Sequence, residues 1–304
     1  EASLLVADTA DTAGLSYEAL VEAAHAADVL VNVSGMLRDE QLRTATVRVY
    51  LDLDPAFNQL WHEDGIDVGL DGHTHFATVG QALGQPGCDV PTLGRDWIPI
   101  VPPVVLERWP QAERIDRDAL TTVGNWRGYG SIERAGVHYG QKAHSLRNFL
   151  DLPAMTGERF EVALAIDPGE TRDLDALEGH GWHLLDPVRE AGTPDDYASF
   201  VRGSKAEFGI SKNGYVVSGS GWFSDRSACY LASGRPVIAQ DTGFSRFLPT
   251  GQGLFAFESQ EDVVAAIEEL HSDYEGQAAA ARAIAEEHLD SDRVLARLLE
   301  RVGA

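Results

Sequence analysis

The 304-residue chain is poor in positive charge, in lysine, in cysteine and in long apolar runs. Its 24 Lys and Arg stand against 48 Asp and Glu, a formal net charge of −24. A surface this acidic repels phosphate backbones and speaks against general nucleic-acid binding. Only three basic residues are lysines, Lys142, Lys205 and Lys212. The arginine bias fits GC-rich coding, and the acidity alone would also fit a halophile. Two cysteines, Cys88 and Cys229, are too few for a disulfide framework and are expected to be reduced in a cytoplasmic protein, with Cys229 buried. No apolar run approaches the roughly 20 residues of a membrane span. No signal peptide is visible, so the sequon Asn32-Val33-Ser34 reads as chance.

What is present is an ordinary globular composition, 44% hydrophobic, long enough for two domains. Ser16 caps a helix over Tyr17 to Ala27, and Asp28 to Gly35 reads as a buried parallel strand. Val47–Asp52 reads as a second strand, stopped at Asp54-Pro55, and Ile66–Leu70 as a third. No strand with a Gly-rich turn precedes Tyr17, so this sheet is expected to lack its leading piece. Prolines punctuate residues 84–112, which predicts a long shaped loop lining a cleft. From Arg159 strands and helices alternate. Strands are expected at Phe160–Ile166, Trp182–Leu185, Glu207–Ile210, Gly214–Val217, Pro236–Ala239 and Leu254–Phe257. Helices are expected from Thr193-Pro194, from Ser224 and after the cap Ser259, and Gly243–Leu248 as a short one.

Four constellations carry chemistry. His73 and His75 lie in Gly-His-Thr-His after an apolar stretch, where two imidazoles at i and i+2 can share a metal. The pattern resembles metal-binding turns of calcineurin-like phosphoesterases and amidohydrolases, but their partner motifs are missing. Gly219-Ser220-Gly221-Trp222-Phe223-Ser224 follows an expected strand and opens a helix, so its backbone N–H groups suit an anion. Arg226 in that helix's first turn adds a fork for phosphate oxygens. The segment running to Gln240-Asp241-Thr242-Gly243 ends at the carboxyl edge of a strand, where open parallel sheets bind ligands. Arg202, Lys205 and Lys212 crowd cations near that turn in an acidic chain.

Gly-Trp-x-Ser, then Ala-Ser-Gly-Arg-Pro-Val-Ile-Ala, Asp-Thr-Gly and Gly-x-Gly-Leu over residues 207–270 resemble the nucleotide-sugar half of GT-B glycosyltransferases. The strand–helix rhythm extends the likeness from about residue 155 to the end. Cys229 stands where many of these families carry a Glu. The resemblance implies donor phosphate contacts from Ser220, Gly221 and Ser224, and an Arg and a Lys on the donor diphosphate, for which Arg202, Lys205 and Lys212 are candidates. Gly219, Trp222, Arg226, Asp241, Thr242 and Gly243 complete the candidate donor site. The resemblance also implies no essential metal and a catalytic base on the first domain, with His75 and Asp52 as the named candidates and His73 and Asp54 beside them.

The resulting expectation is a cytoplasmic α/β protein of two Rossmann-like domains with parallel sheets, an acceptor-side domain over 1–154 and a nucleotide-sugar domain over 155–304. It would move a sugar from a nucleoside diphosphate sugar to an unidentified acceptor. A nucleotide-sugar epimerase, a non-catalytic nucleotide- or glycan-binding protein and, more remotely, a metal-dependent hydrolase using His73 and His75 are the alternatives. Elemental analysis checks the last: substoichiometric metal is expected, and stoichiometric zinc or manganese would restore the hydrolase reading.

Overall fold

A computed structural model describes residues 2–7 and 9–304. Two parallel sheets organise the chain. The first contains β1 (Val29–Val33), β2 (Val47–Asp52), β3 (His75–Thr78) and β4 (Trp97–Pro99), in that spatial order. Every pair in it is parallel. The second contains β5 (Arg117–Asn125), β6 (Phe160–Ala165), β7 (His183–Leu184), β8 (Ser204–Gly209), β9 (Val237–Gln240) and β10 (Leu254–Phe257). Its spatial order is β7-β6-β5-β8-β9-β10, again all parallel. The order reverses between β5 and β8, the arrangement of a doubly wound dinucleotide-type sheet. The α/β class with Rossmann-like parallel sheets is therefore as expected.

Local sequence explains much of this. In β9, Ile238 packs into one core while Val237 and Ala239 pack into the other, because strand side chains alternate and this sheet is covered on both faces. Ser16, Thr193, Ser224 and Ser259 each accept a backbone N–H at a helix start, as their positions before apolar-periodic segments predict.

Three expectations are corrected. Ile66–Leu70 is not a strand: Gly65, Gly69 and Gly72 take positive φ angles of 84°, 75° and 79°, and the third strand begins only at His75. Gly214–Val217 lies in a helix, Asn213–Ser218, closed by Gly219 in the left-handed region, and its Gly214 packs on the Phe57 ring, where a Cβ would come within 2.5 Å. The division at 154/155 also shifts, since β5 over Arg117–Asn125 pairs with both β6 and β8 and is central to the second sheet. At the other end, the helix Ser291–Val302 leaves the second domain. It packs Val294, Leu298 and Val302 against Val49, Ala77, Ile98 and Ile100 of the first sheet.

The returning helix ties the domains through apolar contacts alone at this position. Leu298→Ala is expected to cost about 2–4 kcal/mol by emptying a buried site. A lowered guanidinium midpoint in equilibrium unfolding checks it.

Candidate active site

The carboxyl edges of the two sheets face each other. Gly80, just after β3, bridges Trp222 of the second domain. Ala82 N donates to the Ser220 carbonyl at 2.9 Å. The crevice between these edges includes the switch point of the second sheet, where such folds bind ligands.

Asp52 ends β2 and is fully buried. Its carboxylate accepts from Asn58 Nδ2 at 2.6 Å, Gln59 Nε2 at 2.9 Å, Thr78 Oγ1 at 2.9 Å and the Asp54 N–H at 3.0 Å. Burial raises its pKa and these hydrogen bonds pull it back. Asp52 therefore joins β2, β3 and the following helix, and it is shielded from any acceptor.

Two residues on, Asp54 reaches across the crevice. Lys212 Nζ lies 3.2 and 3.1 Å from its two oxygens and donates to Tyr129 Oη at 2.5 Å. Tyr129 Oη in turn donates to Asp54 Oδ2 at 2.5 Å, and Tyr215 also hydrogen-bonds Asp54. Lys212 follows β8, so it stands at the switch point, but it is held by Asp54 of the first domain. Burial lowers its pKa, and Asp54 opposes that.

The glycine turn sits in the same seam. It joins helix Asn213–Ser218 to helix Asp225–Ala232, not a strand to a helix. Gly219 and Gly221 take φ angles of 56° and 72°. A Cβ on Gly221 would meet the Ala82 N at 2.9 Å, so only glycine admits the first domain here. Gly221 N donates to the Thr242 carbonyl at 2.8 Å, and Thr242 Oγ1 donates to the Trp222 carbonyl. Trp222 stacks on Tyr215 with ring centroids 4.4 Å apart. The Ser224 hydroxyl caps its own helix at Arg226 N. Ser220 Oγ, by contrast, is fully buried without a partner among the described residues.

Arg226 turns inward. It pairs with Glu207, whose side chain is wholly buried, and Nη1 donates to the Val123 carbonyl at 3.2 Å. Burial opposes its charge, but the Glu207 carboxylate offsets this and holds its pKa above the usual arginine value. Beside it lies Lys142, buried and donating to the Ile210 carbonyl at 3.0 Å. Burial pushes the Lys142 pKa well down, and Arg226 adds to the shift. Both cations meet at Gly124 near the end of β5, where an added Cβ would lie 3.5 Å from Lys142 Nζ and 3.9 Å from Arg226 Nη1. Lys142 had no assigned role; its only sequence signal is being one of three lysines.

A pocket of about 640 Å³ opens at the ends of β9 and β10. Gln240, Asp241, Thr242, Gly243, Ser245, Arg246 and Glu258 line it, with Gly87 from the first domain. The Asp241 carboxylate accepts from Gly243 N at 2.8 Å and from the Ser245 hydroxyl, shaping the turn. Arg246 reaches the carbonyls of Gly243, Pro86 and Gly219 at 3.3, 3.4 and 3.3 Å. A slightly larger hollow, about 690 Å³, lies at the amino ends of β5, β6 and β8. Its Arg117 is paired with Glu161 and Glu190, and that edge is the one such sheets do not use.

Arg202 and Lys205 belong to this far edge. Lys205 pairs with Glu158 at 3.1 Å at the start of β8, and Arg202 lines a hollow with Pro110 and Glu113. The structure does not bring them to the donor turn. His75 begins β3, three residues or about 10 Å from its carboxyl end, so it does not face the crevice. His73 accepts from Asn32 Nδ2 at 3.1 Å, which leaves its Nδ1–H for the Leu70 carbonyl at 3.1 Å. Burial lowers its pKa, and its ring contacts Tyr50 edge-on. Among the described residues, no group of three or more His, Cys, Asp or Glu is placed to hold a metal ion. Cys229 packs beside Tyr197, and burial lifts its thiol to about 12.

Two variants test the buried charges of the crevice. Arg226→Ala strands the buried Glu207 charge and is expected to cost about 3–5 kcal/mol, largely relieved by adding Glu207→Gln. Asp52→Ala leaves at least three buried donors without an acceptor and is expected to cost about 3 kcal/mol or more. Chemical denaturation of the single and double variants checks both.

The comparisons with known proteins agree with this geometry. Residues 156–300 match the family described as glycosyl transferase-like. No curated protein matches the sequence. Among solved structures, a glycosyltransferase from Rickettsia africae ESF-5 is similar at 12% identity and a TM-score of 0.57, over 94% of this chain and 79% of that one. Anabaena Alr3699/HepE in complex with UDP-glucose gives 12% identity and a TM-score of 0.57, over 94% and 81%. An alpha-glucosyltransferase in complex with UDP-glucose and DNA containing an abasic site gives 12% and 0.60, over 95% and 83%. No helix among the described residues is long and apolar enough to cross a membrane. The chain thus has the two-domain GT-B fold of glycosyltransferases, and its residues 156–300 carry the glycosyl transferase-like sequence pattern.

Proposed function

We propose that the protein transfers a glycosyl group from a nucleoside diphosphate sugar to an acceptor. The observation that carries this reading is the placement of cations. Two of only three lysines, Lys142 and Lys212, stand with Arg226 around the switch point of a doubly wound sheet, in a chain of net charge −24. A diphosphate is the ligand class that such a group complements. Solved relatives of the same fold hold UDP-glucose, which supports a nucleotide-sugar donor.

In this reading the diphosphate lies over Gly124 and the Ser220 turn. Lys212 and Arg226, with Lys142 beneath, stabilise the negative charge that grows on the leaving group as the glycosidic bond breaks. The ordering of fixed cations in a poorly hydrated crevice does the work that a bound divalent ion does elsewhere, so no essential metal is proposed. The nucleoside occupies the pocket at β9 and β10, where Asp241 and Glu258 offer acceptors for hydroxyl groups. The acceptor approaches from the first domain. Of the carboxylates proposed there as base, Asp52 is shielded, and Asp54 is the one that faces the crevice. The acidic surface still argues against a nucleic-acid acceptor, although one relative of this fold was solved with DNA.

A thermal-shift panel of UDP, GDP, ADP and dTDP tests the reading. One of them is expected to raise Tm by about 4 °C at roughly a hundredfold excess over Kd. The stabilisation should persist in EDTA. No shift with any diphosphate at millimolar concentration would overturn the donor site.

A further inference from the structure

A further pocket, of about 270 Å³, lies between the two domains beside the returning helix. Its walls are apolar and come from three places. Ile98 and Ile100 belong to β4 and the residue after its end, Phe247 and Leu248 follow β9, and Val294 and Leu298 lie on helix Ser291–Val302. All of these but Phe247 are buried. Gln81 closes one side, and its Nε2 donates to the Ile100 carbonyl. No residue of the glycine turn over 219–224 lines this pocket. Gln81 and Phe247 stand between the two: a Cβ added to Gly221 would lie 3.1 Å from Gln81 Cβ and 3.2 Å from Phe247 Cε2.

The polar part of the lining is cationic. Arg297 and Arg301 are four residues apart, so they share a helix face with Val294 and Leu298 at the pocket. Arg293, one turn earlier, is 4.0 Å from Asp290, whereas neither Arg297 nor Arg301 pairs with a carboxylate among the described residues. His288 adds an imidazole, with Nε2 3.9 Å from Glu287 Oε1. No Asp or Glu lines the pocket, although the chain has 48 of them. The three hollows described above each carry at least two. The carboxyl end of a helix accounts for a cation at Arg301. It does not account for two like charges at i and i+4 over one apolar pocket, an arrangement that an anion between them relieves.

We propose that this pocket binds a small amphiphilic anion, a carboxylate or phosphate monoester carried on an apolar body, at a site separate from the donor's. The apolar body leaves water against Ile98, Ile100, Val294 and Leu298. The head group meets the forks of Arg297 and Arg301, whose planar N–H pairs match its oxygens. Size bounds the body. An apolar cavity of about 150 Å³ takes a benzene ring, so about 270 Å³ takes roughly an eight-carbon chain or a bicyclic ring. Because both domains wall the pocket, the ligand also stabilises their folded arrangement.

Titration calorimetry on the full chain tests this with octyl phosphate, octanoate, octanol and inorganic phosphate, all below micellar concentrations. At least one of the two amphiphilic anions is expected to bind, and the tighter one names the head group. Octanol and inorganic phosphate should each bind at least about tenfold more weakly, since each lacks half of the recognition. Replacing both guanidinium groups in Arg297→Gln/Arg301→Gln should weaken the anion on the order of tenfold or more. Both side chains are exposed, so this variant keeps its fold. Arg293→Gln, outside the pocket, should bind as wild type does. Saturating UDP should leave the affinity for the anion unchanged. No binding of either anion overturns the site, as does equal binding of octanol or undiminished binding by the double variant. Displacement by UDP would put the anion in the donor site and overturn it too. Binding to phosphatidylglycerol vesicles without binding of the monomeric anions would make the arginines a membrane-surface patch and overturn the pocket. None of these outcomes bears on the donor reading.

Discussion

Buried charge at the meeting edges of the two sheets sets the terms for the rest of the molecule. Asp52, Asp54 and Glu207 all lie where water is excluded or scarce, and a carboxylate there must find a cation or several donors. Each finds a different solution. Asp52 is satisfied inside the first domain by Asn58, Gln59 and Thr78. Glu207 is paired inside the second by Arg226 through Oε1, while its Oε2 has no partner among the described residues. Asp54 is satisfied only across the seam, by Lys212 with two tyrosines. The first two lock each domain's carboxyl edge. The third sets an ion pair across the seam between the domains, beside an apolar cluster that also spans it.

Apolar contacts join the domains as well. Helix Ser291–Val302 buries Val294, Leu298 and Val302 on the first sheet and holds the domains on one side, and on the crevice side Phe57, Leu60, Leu83 and Val90 pack with Ile132, Tyr139 and Tyr215 beside the polar contacts. Apolar contacts are indifferent to an arriving anion; an ammonium–carboxylate contact is not.

Several features were legible in the sequence because they are local. Caps at Ser16, Thr193, Ser224 and Ser259 need only a hydroxyl at the right place before a helix. The strands Phe160–Ala165, Val237–Gln240 and Leu254–Phe257 are continuous apolar runs, the mark of sheets covered on both faces. Others were not. Arg117–Asn125 contains Thr121, Thr122 and Gly124 and does not read as a core strand, yet it pairs on both sides because Thr121 bonds Ser204 and Tyr230 within the core. His75 looked suited to proton transfer on chemistry, but side-chain type says nothing about which end of a strand it occupies. Arg202, Lys205 and Lys212 looked like one cluster, and the run of β8 sets the first two at the opposite edge from the third.

The sequence by itself determined the class of the protein: parallel α/β layers, a nucleotide-sugar-like second half and an acidic chain in which every cation counts. Those follow from period, composition and local motif, which do not depend on distant partners. The tertiary structure alone decided which cations face the crevice, that Asp52 is scaffold and Asp54 is not, and that the glycine turn is closed against the first domain. The placing of Asp54 rests on contacts between residues 75 to more than 160 positions apart, such as Tyr129 with Asp54 or Tyr215 with Asp54, and no local pattern encodes such a meeting.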